Sequence, residues 1–96
     1  MKMLVELDAE KIHHEGRYDL AKMESHISRL FEKRGMKKDA EHWYANGTFS
    51  SCGALAIILS RTDWFMDNVK QWLWLDTEDG SIEDVKAQYR KEPLRA

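Results

Sequence analysis

The chain has very little of what would fix its chemistry. Its 96 residues include one cysteine, Cys52, so no internal disulfide can form and no zinc site built on paired cysteines is available. It has one proline, Pro93, and five glycines, and none of the glycines falls in a phosphate-cradling loop or a Gly-x-Ser-x-Gly nucleophile turn. No run approaches the ~20 apolar residues that span a bilayer, and Glu6 and Asp8 interrupt the opening Met1-to-Leu7 stretch before a signal-peptide core could form. Charge of one sign is also lacking: 15 Lys and Arg against 17 Asp and Glu give a net charge of −2, which supplies no overall pull toward nucleic acid or an anionic membrane. These features point to the cytoplasm, with no membrane partner and no cofactor.

What remains is the composition of an ordinary globular domain, 43% hydrophobic and 33% charged. The length suits one domain over residues 1–96, with no room for a second core. Met3, Val5 and Leu7 alternate with Leu4 and Glu6 as in a short strand. Ala9 to Arg17 reads as a polar connection. From Asp19, a helix cap, the residues Leu20, Met23, Ile27, Leu30 and Phe31 fall at helical spacing, and Gly35 follows the last turn, predicting a helix over 19–34.

Asn46-Gly47 between aromatic and β-branched residues signals a type I′ hairpin within 41–60, pairing 41–45 with the residues from 48 onward. The apolar run Ala54 to Leu59 then reads as a buried central strand, with a helical 52–60 as the alternative. A helix over 62–73 would place Trp64, Phe65, Asn68, Val69 and Trp72 on one side. Ser81 and Asp84 form a partial capping box for a last helix over 81–91. The expected fold is α+β, a small antiparallel sheet packed on about three helices, with a mostly α fold as the alternative.

Candidate chemistry is sparse. His13 and His14 are adjacent and cannot readily face one ion, and neither His26 nor His42 has a metal partner at i+4, so solvated histidines are the simpler reading. The acidic stretch of Asp76, Glu78, Asp79, Glu83 and Asp84 has a calcium-loop flavour, but Ala87 stands where the twelfth-position glutamate belongs. Cys52 with His42 is the one nucleophile–base pair worth testing, although a lone cysteine beside Gly53 in an apolar run is usually a packed core residue. No catalytic, metal or cofactor residues are therefore assigned.

The strongest feature is aromatic. Trp64, Met66, Trp72, Leu73 and Trp74 crowd into eleven residues, more apolar surface than a small core can absorb from one segment, which points to docking of a protein partner or a second copy. The alternative partner is nucleic acid, held by Arg34, Lys37 and Lys38 with stacking on Trp43. The segment Asp63-Trp64-Phe65-Met66-Asp67-Asn68-Val69-Lys70-Gln71-Trp72-Leu73-Trp74, followed by Glu83-Asp84-Val85 and Tyr89, resembles small proteins carried by conjugative elements of Gram-positive gut anaerobes, with weaker echoes in Tyr18-Asp19-Leu20 and Gly47-Thr48-Phe49. That family brings no assigned activity and no catalytic residues. The resemblance implies a bacterial cytoplasm and a non-enzymatic accessory role associated with a mobile element.

Overall fold

A computed structural model describes residues 1–90. The chain runs β1 (Lys2–Leu7), α1 (Ala9–Glu15), α2 (Leu20–Glu32), β2 (Lys37–Ala40), β3 (Trp43–Ala45), α3 (Phe49–Ser60), α4 (Asp63–Asn68), β4 (Val69–Leu75), β5 (Ile82–Asp84) and α5 (Val85–Arg90). The five strands form one antiparallel sheet in the order β2-β3-β1-β4-β5, so the fold is α+β.

Two elements follow the sequence pattern closely. In β1, Met3, Val5 and Leu7 enter the core. Helix α2 begins where Asp19 accepts a hydrogen bond from the Lys22 amide at 3.2 Å, buries Met23, Ile27 and Phe31, and gives way to Gly35 at φ +77°.

Elsewhere the structure corrects the pattern. The supposed polar connection after residue 8 is helix α1, capped by Asp8 and anchored by Ile12 alone; one buried side chain in seven residues leaves no period to detect. The hairpin lies one element earlier than expected, between β2 and β3, where His42 has φ +69°. A type I′ turn needs positive φ at both central residues, and only Asn46 has it, at +66°.

Gly47 instead pairs with Met1: its amide donates to the Met1 carbonyl at 2.8 Å, and its carbonyl accepts from the Met1 nitrogen at 2.9 Å. The next residue, Thr48, starts helix α3, so residues 52–60 are helical and the central strand expected there does not exist. Thr48 Oγ1 accepts from the Ser51 amide at 3.0 Å while Ser51 Oγ accepts from the Thr48 amide at 2.8 Å, a reciprocal cap that a serine closes in place of the usual glutamate.

The helix expected over 62–73 breaks after six residues. Asn68 Nδ2 donates to the Trp64 carbonyl at 2.8 Å, Val69 turns extended (φ −78°, ψ 129°), and the chain continues as β4. The last helix starts later than Ser81 because 82–84 pairs with β4, and Asp84 Oδ1 takes the Ala87 amide at 3.0 Å. Its expected end at residue 91, and Pro93, lie outside the described residues.

All five helices pack on one face of the sheet. The buried cluster joins Met3, Val5, Leu7, Tyr44, Val69 and Trp72 from the strands to Ile12, Ile27, Phe31, Leu55, Leu59, Phe65 and Val85 from the helices, among others. The Cα trace measures 39 × 33 × 20 Å, and its shortest dimension is that of two layers, one sheet and one tier of helices.

Candidate functional site

The strand register sorts the residues singled out by sequence. Along β1, the pairs Met3–Trp74, Val5–Trp72 and Leu7–Val69 share the helix-covered face. The intervening pairs Lys2–Leu75, Leu4–Leu73 and Glu6–Gln71 share the other. On its far side Leu4 is paired with Trp43, while Leu73 is paired with Asp84 and Leu75 with Ile82. A band of Trp43, Leu4, Leu73, Leu75 and Ile82 therefore crosses four strands on the face that no described helix covers.

Burial singles out the same face. Among the described residues, Leu4 and Ala45 are the two buried apolar side chains that do not belong to the core cluster, at 9% and 8% exposure. In the sheet Leu4 lies between its cross-strand partners Trp43 and Leu73. Charge surrounds the band: Lys2 Nζ meets Asp39 Oδ2 at 3.1 Å, Glu6 and Gln71 lie one row beyond Leu4, and Asp84 lies past Leu73. An apolar centre with a polar rim is the anatomy of a protein interface.

Both sheet edges are poor templates for a partner strand. β2 and β5 are four and three residues long, fully exposed, and carry Lys37, Lys38, Asp39, Glu83 and Asp84.

The chain, compared with known protein families, curated proteins and solved structures, matches none.

The five residues of the aromatic cluster separate. Trp72 is fully buried, edge-on to Phe65 at 5.0 Å and stacked on Tyr89 at 5.9 Å. Trp64 and Met66 pack half-buried against the core from α4, Trp64 edge-on to His26 at 5.4 Å. Leu73 lies on the open face. Trp74 stands on the helix side near the sheet's end, with its indole N–H donating to Met1 Sδ at 3.3 Å. Leu73 thus shares a surface with Trp43, which the sequence assigns to the nucleic-acid alternative, and with Leu4, Leu75 and Ile82, which the sequence pattern does not mark as a site. Their signal was present in the spacings Lys2-x-Leu4-x-Glu6 and Gln71-x-Leu73-x-Leu75.

The basic-aromatic alternative is divided by the same alternation. Lys38 pairs with Tyr44 and Lys37 with Ala45, so the two lysines leave β2 on opposite sides, and Trp43 shares the side of Lys37. Arg34 stands in the turn after α2.

Cys52 is buried in α3, and its thiol pKa is raised by that burial, an effect opposed by the Met1 ammonium and the Ser51 hydroxyl. His42 Nε2 lies 3.4 Å from Glu41 Oε1, and the structure assembles no bond between His42 and Cys52. In the acidic turn, Asp76 Oδ1 accepts from the Glu78 amide and Asp79 Oδ1 from the Ser81 amide, at 2.9 and 2.8 Å. These carboxylates order the turn; among the described residues no three metal-ligating side chains converge. No described helix is long and apolar enough to cross a membrane.

Proposed function

We propose that this chain is a non-enzymatic interaction module that pairs with a second copy of itself through the open face of its sheet. The observation that carries the proposal is the β1 sequence on that face: Lys2, Leu4 and Glu6 present a basic, an apolar and an acidic position at equal spacing. A two-fold axis lying in the interface at the level of Leu4, perpendicular to β1, reverses the strand. It sets Lys2 of one copy over Glu6 of the other and Leu4 on Leu4. The face is thereby complementary to itself, as an isologous interface requires.

The size of the face sets the strength. Five strands at a spacing of about 4.8 Å and three rows of outward residues cover about 400 Å² per copy. About 800 Å² in total belongs to weak, reversible association, with a Kd on the order of tens to hundreds of micromolar. Placement in a bacterium, as an accessory of a mobile element, rests on the resemblance of Asp63 to Trp74 and of Glu83-Asp84-Val85 with Tyr89, and placement in the cytoplasm also on the single cysteine.

Sedimentation equilibrium over a concentration series tests the pairing. Wild type shifts from monomer toward dimer, and Leu73→Lys stays monomeric with its fold intact by circular dichroism. Lys2→Glu and Glu6→Lys each weaken the dimer, and the double exchange restores it. A wild type that remains monomeric to about 1 mM, well above the dissociation constant this area allows, refutes the reading. Salt-sensitive binding to single-stranded nucleic acid by such a monomer would favour the basic-aromatic alternative.

A further inference from the structure

On the helix-covered side, at the end of the sheet, a cleft of about 310 Å³ opens between the start of α3, the end of β4 and helix α5. Its walls combine two kinds of side chain. Phe49 and Trp74 stand with ring centroids 5.6 Å apart and planes 43° from parallel, and Asp76 and Glu83 bring carboxylates, with Gln88 on the α5 side.

Phe49, the first residue of α3, is 73% exposed. The Trp74 indole N–H is already occupied by Met1 Sδ, which holds the ring in place. Glu83 is the cross-strand partner of Trp74, so its carboxylate leaves the sheet beside the indole. Among the described residues, no lysine or arginine lines the cleft and none forms an ion pair with either carboxylate; the ammonium of Met1, which also lines it, is turned to the Gly47 carbonyl at 2.9 Å.

From this geometry we infer that the cleft binds an organic cation, an alkylammonium or guanidinium group whose charge faces Asp76 and Glu83 while its carbon stem lies against Phe49 and Trp74. Aromatic faces attract such cations through their quadrupole, tryptophan most strongly, and a carboxylate beside the ring adds charge without demanding the full dehydration a metal ion would. The volume is at the small end of ligand pockets and suits one extended side chain or a free amine of that size. The cleft opens on the opposite side of the sheet from Leu4 and Leu73, so its occupancy and the pairing of open faces are separable.

The test is a titration of 15N-labelled protein, following the Trp74 indole signal, with n-butylammonium, n-propylguanidinium and the capped tripeptide acetyl-Gly-Arg-Gly-amide. The same peptide carrying citrulline is the neutral control. Saturable shifts with the cations, none with citrulline, and affinity about three- to fivefold weaker in Glu83→Gln are expected, because Glu83 is on an exposed edge where a single charge contact has that worth. Tighter binding of the arginine peptide than of the free cations identifies a peptide-borne side chain as the source; the reverse order identifies a small amine. Absence of a saturable shift, an equal shift with citrulline, or affinity unchanged in folded Glu83→Gln overturns the inference.

Discussion

Replacing Gly47 with alanine adds one methyl group, and the structure predicts that this lowers stability where generic reasoning predicts a gain. The new Cβ would stand 2.7 Å from Cys52 Sγ, 2.7 Å from Met36 Cε and 2.9 Å from the Met1 carbonyl oxygen. The methionine end can swing, but the thiol is held in the buried first turns of α3. The carbonyl is backbone already bonded to the Gly47 amide. Overpacking of this kind costs about 1–3 kcal/mol. Gly47 does not use positive φ, so an alanine free of those contacts would stabilise by about 0.4–1 kcal/mol through the unfolded chain. The difference of the two is a loss of about 1.3 kcal/mol at the midpoint and up to about 2.6 kcal/mol, and the midpoint lowers Tm by about 5–10 °C in a domain of this size. Calorimetry on Gly47→Ala decides the sign: an unchanged or raised Tm means that Gly47 does not approach Met1 and Cys52 as described, and that the α3 start is misplaced.

Adjacent substitutions in β4 should diverge: Trp72→Ala costs about 3–5 kcal/mol and is expected to leave the protein largely unfolded in urea titrations, whereas Leu73→Ser, one residue on, costs under about 1.5 kcal/mol. Thr48→Ala removes one half of the reciprocal cap of α3 and lowers Tm by about 5 °C, measured by circular dichroism. Burial raises the pKa of both Tyr44 and Cys52 above their ordinary values; for Tyr44 the hydrogen bond with Ser28 opposes the shift. The unfolded chain therefore loses these protons first, so their contribution is fully present at neutral pH and is lost as pH rises above about 9. Denaturation midpoints should fall on that alkaline limb, and the fall should be smaller in Tyr44→Phe.

Legibility in the sequence followed the range of the interactions that decide each element. Helix α2 was readable because Asp19, Met23, Ile27, Phe31 and Gly35 act within a few residues of one another. α3 was not, because twelve residues that are apolar on all sides show no period, and the serine that closes its cap does not announce a helix as a glutamate would. The change from α4 to β4 was hidden because Trp64, Phe65, Val69 and Trp72 fit a helical stripe, yet the pairing of Val69 to Leu75 with a strand more than sixty residues away overrides it. The same distance hid the open face. The sequence assigns Leu73 and Trp43 to different partners, and it is their common pairing with Leu4 that puts them on one surface.

The central position of β1 also bears on the order in which the protein is made. Among the described strands β1 is made before the others, pairs on one side with β3 and on the other with β4, and joins the two halves of the sheet. At about 5–20 residues per second, roughly 3–12 s separate the synthesis of Leu7 from that of Val69. During that interval Met3, Val5 and Leu7 have helices to gather against but no β4. Completion of the sheet in the nascent chain therefore waits on β4, and a chain ending before Val69 would leave β1 without its longer partner along its whole length.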